Sequence, residues 1–291
     1  MFKIYFAPAW GMTSEEMVED YRLQAPNQKP QWLDMQTTFN KNDADYLIVQ
    51  DYCDRRLLDE FPHKNIFYFG RETPGLGPIE DYSHLDINIF SWRDRSSYLY
   101  VKWIYPNNWA GINKTYDQLN SNQVPSDKLK ILSSIQSNKC STEGHKKRQK
   151  FLKEFISKHP SKLDLFGGIS FSNMTLENND KANALDPYAY NIAFDNSLYL
   201  DYFATQFTDA ILSWSVPVFW GCPNLQEYFP DKSYIKFDID DFSEVDRIVE
   251  VLEGDSYEDR IDDLRQARQL ILDKYNLWPT VYTAITEGTV S

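Results

Sequence analysis

Apolar residues along this chain gather in short blocks, separated by polar stretches long enough to hold helices. The first half carries Lys3-Ile-Tyr-Phe-Ala7, Asp45-Tyr-Leu-Ile-Val-Gln50 and Asn65-Ile-Phe-Tyr-Phe-Gly70. Blocks this continuous fit strands buried on both faces, because a half-exposed strand would alternate apolar with polar. Pro8 stops the first block, and a Gly/Pro-rich loop from Arg71 to Pro78 follows the third. After the first block, Thr13 with Glu16 three places on predicts a capped helix start. Residues 55–61 predict a second, short helix. Strands alternating with helices predict a parallel α/β sheet.

A polar stretch from Asn107 to Asp127, rich in Asn, Ser, Gln and Gly, reads as a long connection. Beyond it the pattern restarts. Strands are predicted at Leu129–Ile135, Leu163–Phe166, Tyr188–Phe194, Val216–Trp220 and Tyr234–Phe237. Residues 143–158 predict a basic amphipathic helix with Phe151, Leu152, Phe155 and Ile156 inward. Further helices are predicted at 202–214, 243–253 and 257–275. A chain of 291 residues suits about two domains. The expected division is residues 1–126 and 127–291, with the last helix returning to pack on the first domain. Open sheets of this class bind ligands at the carboxyl ends of their strands.

The formal charge of −13 disfavours nucleic acid and anionic membranes at long range. It leaves room for a small anion, which needs only one local cation and some helix N-terminal amides. Aromatic residues reach 15%. A single ring is more often core, yet exposed rings suit the CH faces of sugars, and Trp10 and Trp92 are candidates for such contacts. Cys53, Cys140 and Cys222 show neither a disulfide framework nor metal-ligand spacing, which fits a reducing compartment. No apolar run is long enough for a transmembrane segment, and Met1–Trp10 does not read as a secretory leader. The expected location is cytoplasmic.

Three constellations carry candidate chemistry. Glu72 follows the third apolar block and could act as a general base; an ordinary loop glutamate beside Arg71 is the simpler reading on spacing alone. Arg148 lies in the run His145-Lys-Lys-Arg148, where a guanidinium could hold a diphosphate; a solvated basic face is the alternative. Asp195-Asn-Ser197, with Tyr202 after it, offers hydrogen-bonding groups for a ribose or sugar; an Asx turn with core aromatics is the alternative. Asp238-Ile-Asp240 has metal-motif spacing, but in so acidic a chain it reads as a solvated loop. No metal and no cofactor are expected.

The stretch Tyr188-Ala-Tyr-Asn-Ile-Ala-Phe-Asp-Asn-Ser-Leu-Tyr-Leu-Asp-Tyr202 resembles the signature of the family 10 α-1,3-fucosyltransferases, a strand ending F-E-N-S followed by Y-V-T-E-K. Asp209-Ala210 and Val216-Pro-Val-Phe-Trp-Gly-Cys-Pro223 resemble its D-A…[IV]-P-[IV]-x-W-G-x-P, and Asp241-Phe242 its later D-F. Upstream, Phe69-Gly-Arg-Glu-Thr-Pro74 is similar to its F-E-S-P segment, and Ser137-Asn138 with Arg148-Gln-Lys-Phe151 to its S-N…R-x-x-F. The resemblance implies a GT-B fold, two Rossmann-like domains facing each other across a cleft. The first would bind a glycan acceptor and the second a nucleotide sugar. It implies GDP-fucose as donor, inversion without a metal, Glu72 as base, Arg148 on the phosphates, and Asn196 and Tyr202 on the donor. The family's Glu-Lys pair falls on Thr205 and Gln206. Losing that lysine removes a charge-assisted contact worth roughly 1.5–3 kcal/mol. A different nucleotide sugar, or a non-catalytic glycan- or nucleotide-binding homologue, therefore stays open.

Overall fold

The apolar blocks of the first half become strands of one sheet, and those of the second half strands of another. The computed structural model describes residues 1–70, 82, 84–91, 111–121, 123–125 and 128–288. In chain order the first part holds β1 (Phe2–Phe6), α1 (Ser14–Arg22), β2 (Gln31–Trp32), β3 (Met35–Thr37), β4 (Tyr46–Gln50), α2 (Arg55–Leu58), β5 (Ile66–Gly70), β6 (Asn88–Ser91) and α3 (Tyr116–Ser121). The second holds β7 (Lys130–Ile135), α4 (Glu143–Lys158), β8 (Asp164–Phe166), α5 (Ala182–Leu185), β9 (Tyr188–Phe194), α6 (Thr205–Leu212), β10 (Val216–Trp220), β11 (Ile235–Lys236), α7 (Glu244–Gly254), α8 (Ile261–Asp273) and α9 (Leu277–Glu287).

These elements form two units that interleave along the chain. The first takes its described residues from Met1–Pro106, Lys114–Ser121 and Leu272–Ser291, the second from Asn107–Asn113 and Asn122–Ile271. A single cut at 126/127 does not describe this division, because buried side chains tie two late segments to the first unit. In α3, Tyr116 donates its hydroxyl to Asp273 at 2.7 Å and packs edge-on against Trp32. In α9, Trp278 is fully buried and its Nε1–H donates to the carbonyl of Tyr21 at 2.9 Å.

The first sheet has the order β2-β3-β1-β4-β5-β6, parallel except for β2 against β3. Its central strands bury both faces. Ile4, Phe6, Ile48, Phe67 and Phe69 pack under α1 and α9, while Ala7, Leu47, Val49, Ile66 and Tyr68 pack over the α2 region with Leu57, Leu58 and Phe61. Such double burial is why these strands read as unbroken apolar runs. The second sheet is wholly parallel, in the order β11-β10-β9-β7-β8. All seven residues of β9 are buried. On α4, the predicted inner residues Phe151, Leu152 and Phe155 have no exposed surface, and Phe151 packs at a tilt against Phe237 with centroids 4.9 Å apart. No helix among the described residues is long and apolar enough to cross a membrane.

Candidate functional site

In the second sheet, β7 sits between β8 and β9, so chain direction reverses its progress across the sheet between β7 and β9. Ligands of doubly wound sheets bind in the crevice opened at the carboxyl ends of such a pair. The segments leaving that point are Gln136–Thr142, which enters α4, and Asp195–Ala204, which enters α6. Asn196 and Tyr202 lie on these segments, Thr205 and Gln206 in the first turn of α6, and Arg148 in the second turn of α4.

The α4 entry is tightly built. Thr142 caps the helix, its Oγ1 accepting from the His145 amide at 3.2 Å, and Nδ1 of His145 accepts from the Thr142 amide at 3.2 Å. This is a capping box with an imidazole in the place usually taken by Glu or Gln. Thr142 Oγ1 also donates to the carbonyl of Asn196 at 3.2 Å, tying α4 to the end of β9. Gly144 allows the approach, since a Cβ on it would lie 2.2 Å from the same carbonyl oxygen.

One turn on, Arg148 is separated from the rest of its basic run. Lys147 pairs with Asp240 at 2.6 Å and Lys146 with Glu143 at 3.8 Å. Arg148 is only 4% exposed. Its Nη2 donates to the carbonyl and Oγ of Ser137, at 3.4 and 3.2 Å, and its buried Nε has no partner. Burial lowers its pKa to about 10, which still leaves it cationic at neutral pH. No carboxylate pairs with it among the described residues. A buried guanidinium without a counter-ion is costly, so this position is electrostatically prepared for an anion. Asp240 neutralises Lys147, and Asp238 accepts from the Asp240 amide at 3.0 Å, so the acidic triplet is used within its own turn and in an ion pair.

At the α6 entry, Ala204 is the N-cap and offers no side chain to the first-turn amides. Asp195 binds this corner: its Oδ1 accepts from the Ala204 amide at 3.0 Å. Burial pushes its pKa up to about 8, so the carboxyl is mostly protonated at neutral pH and places no full negative charge here. Thr205 and Gln206 are half-buried in the first turn.

Residues 125–260 match the C-terminal domain of glycosyltransferase family 10 (fucosyltransferase). The match covers just under half of the chain. The chain is 30% identical over 73 residues to an α-(1,3)-fucosyltransferase of Helicobacter pylori, a match covering 25% of this chain and 15% of that protein. It is 34% identical over 77 residues to a fucosyltransferase-like protein of Arabidopsis thaliana, covering 26% and 15%. The matches thus span only a small part of these curated relatives. A crystal structure of an α1,3-fucosyltransferase with GDP superimposes with a TM-score of 0.52 at 16% identity, over 99% of this chain and 91% of that one. A UDP-forming trehalose-phosphate synthase from Burkholderia xenovorans gives 0.51 at 11% identity, over 87% and 75%. At these identities the likeness is one of fold, and the fold is of the GT-B class.

Within the matched stretch, Thr142 and Gly144, on the same helix entry as Arg148, touch the backbone of Asn196. Tyr202 differs from the sequence reading: it is 6% exposed and precedes α6, which begins at Thr205 rather than at 202. Glu72 and Trp92 lie outside the described residues. Trp10 is in the first unit, with its amide donating to the Tyr52 hydroxyl at 2.6 Å and its ring edge-on to Tyr52. Sequence reasoning missed the residues that pin the 196–202 loop. Asp201 adopts a left-handed φ of 62° and accepts from Asn224 Nδ2 at 2.6 Å and from the Tyr228 hydroxyl at 2.7 Å. The signal was Asn224, next after the W-G-x-P motif, whose side-chain amide bonds Asp201.

A cavity of about 230 Å³ lies at the opposite, amino end of the same strands, lined in part by Lys130, Asp164 and Tyr188. Those three groups bond one another, Tyr188 donating to Asp164 at 2.6 Å and Lys130 to both. The three groups thus serve one another, and the cavity is at the end of the sheet opposite the β7/β9 crevice.

Proposed function

We propose that this protein transfers fucose from GDP-fucose to a hydroxyl of a glycan acceptor, with inversion at the anomeric carbon and without a metal. The observation that carries the reading is Arg148, a buried cation without a counter-ion at the switch point of a family 10 domain. It would hold the diphosphate, aided by the uncapped amides of α6. Asn196 would bond the donor, with Thr205 and Gln206 beside it. Tyr202 would act from beneath the surface by holding the loop. On the resemblance of Phe69-Gly-Arg-Glu-Thr-Pro74, Glu72 takes the proton of the acceptor hydroxyl. That oxygen bonds to the anomeric carbon as the carbon–phosphate-oxygen bond breaks. GDP leaves with the electron pair, stabilised by Arg148. The first unit would receive the acceptor and the second the donor.

One observation favours a second reading, a different nucleotide sugar: the first turn of α6 carries Thr205 and Gln206 and no charge. Calorimetry with GDP, GDP-fucose and UDP in the presence of a chelator separates the two, followed by turnover assays on a panel of glycans. GDP binding that Arg148→Ala weakens at least tenfold, with turnover that Glu72→Gln abolishes while GDP still binds, supports the proposal. Binding of UDP alone refutes the donor assignment. GDP binding without turnover on any acceptor favours a non-catalytic homologue.

A further inference from the structure

The loop that joins the carboxyl end of β9 to α6 is closed by a side chain at its own start: Asp195 Oδ1 accepts from the Ala204 amide at 3.0 Å. Near its end, Asp201 sits in the left-handed region, with φ at 62°. A residue with a Cβ enters that region at a cost unless its surroundings hold it there. Asn224 holds it at two points. Its Oδ1 accepts from the Asp201 amide at 2.9 Å, and its Nδ2 donates to Asp201 Oδ1 at 2.6 Å. Neither an aspartate nor a leucine at 224 could make both bonds, because the pair needs an acceptor and a donor on one short side chain. Cys222 Sγ donates to the same Asn224 oxygen at 3.2 Å, which fixes the end of the amide that meets the Asp201 backbone. Tyr228 adds a third bond, its hydroxyl donating to Asp201 Oδ1 at 2.7 Å, while its ring packs on Phe203 with centroids 5.3 Å apart. Asn224 and Asp201 are both buried, so water does not compete for these bonds.

We infer that Asn224 is a positioning residue of the nucleotide site: by locking Asp201 in its left-handed turn it sets where the chain enters α6, and with it the first-turn amides offered to the diphosphate. The packing of Phe203 on Tyr228 and Phe229 places a side chain but does not select the backbone angle two residues earlier. The polar clamp selects it. Asp201 and Phe203 are then held from residues 224–229, and Ala204 from the end of β9, which leaves the entry to α6 little slack. Glycine would take this turn without help. An aspartate that needs a partner for it ties the loop to the segment after β10. Asn224 is covered and bonds Asp201 and Cys222, so it acts on the nucleotide through the loop. The inference rests on the reading of this crevice as the nucleotide site.

The test uses the whole chain and GDP as probe. Amide hydrogen exchange, which needs no nucleotide, is expected to show the Asp201 amide protected in the wild type and about tenfold or more faster in Asn224→Ala. Equal exchange overturns the inference. In calorimetry, Asn224→Ala is expected to weaken GDP about tenfold. Adding Asp201→Gly, which permits the left-handed turn without a clamp, is expected to return affinity to within about threefold of wild type without restoring Tm. That recovery separates positioning from stability: a double variant that binds GDP no better than Asn224→Ala shows a merely structural role and overturns the inference. Tyr228→Phe keeps the ring on Phe203, removes one bond to Asp201, and is expected to weaken GDP about threefold. It carries the test if Asn224→Ala does not fold, and unchanged affinity then overturns the inference. Equal GDP binding by the wild type and Asn224→Ala overturns the inference and leaves the nucleotide site standing, whereas no GDP binding by the wild type overturns both.

Discussion

Gly144→Ala tests the packing of the site most directly. The added methyl would stand 2.2 Å from the Asn196 carbonyl oxygen and 2.7 Å from its carbon, whereas such contacts are essentially never under 3.0 Å. Both partners are backbone, so no side chain can swing aside. Either the first turn of α4 or the end of β9 must move by about 1 Å, the scale of misplacement that costs on the order of 100-fold at a reactive centre. Overpacking of this kind costs roughly 1–3 kcal/mol. The helix propensity of Ala over Gly returns at most about 1 kcal/mol. For a protein of this size each kcal/mol moves Tm by about 2–4 °C, so a fall of up to roughly 8 °C is expected. The assay pairs thermal melts with GDP calorimetry. Gly254→Ala is the control, because a Cβ there meets nothing within 4 Å. Gly144→Ala melting at or above wild type with GDP affinity within twofold would refute the close approach and the coupling of α4 to Asn196.

Other consequences follow from the same residues. Gln206→Lys returns a cation to the first turn of α6 and is expected to tighten GDP by roughly 10- to 100-fold, a charge-assisted bond being worth about 1.5–3 kcal/mol; unchanged affinity by calorimetry would place this side chain away from the phosphates. The buried ion pair of Lys181 with Asp209, at 2.6 Å, predicts a loss of about 3–5 kcal/mol in urea unfolding for Lys181→Met and a much smaller one for the double change to Met and Leu. His145, with a pKa near 4 folded against about 6.5 unfolded, contributes stability above pH 6.5 that is lost as pH falls towards 4. The advantage of wild type over His145→Gln should therefore shrink across that window, and an advantage independent of pH would contradict a buried neutral ring between Arg148 and Lys139. Asp195 has the opposite sign: its folded pKa of about 8 lies above its unfolded value, so its contribution falls as pH rises from about 4 to 8. Urea titrations should show Asp195→Asn gaining on wild type over that range.

The strands of both sheets were legible because burial on two faces demands unbroken apolar runs, as at Tyr46–Gln50, Ile66–Gly70 and Tyr188–Phe194. The start of α1 was legible because a capping box is a local device: Thr13 accepts from the Glu16 amide, and Glu16 from the Thr13 amide. Residues 143–158 were read as α4 to the residue because cap and amphipathic face both lie within the segment. Strands β2, β3 and β6 were not read: none carries an unbroken apolar run, and β3 and β6 are held in the sheet by pairing with β1 and β5.

Local sequence determined which residue types were present at the site, and the resemblance to family 10 pointed to Arg148 and Asn196. Spacing by itself did not separate Arg148 from Lys146 and Lys147, because a run of basic residues looks alike whichever member faces inward. Tertiary structure decided that: α4 turns Arg148 under the crevice, while Lys147 is drawn out to Asp240. It also made the capping Thr142 a partner of the Asn196 carbonyl, and a glycine in a helix into the point where two segments 52 positions apart touch. Return of α3 and α9 to the first unit was likewise settled by long-range burial, at Tyr116 and Trp278. Periodicity records what a segment hides; which segment it hides against, and what charge is left unpaired there, depends on contacts that close only when the chain folds.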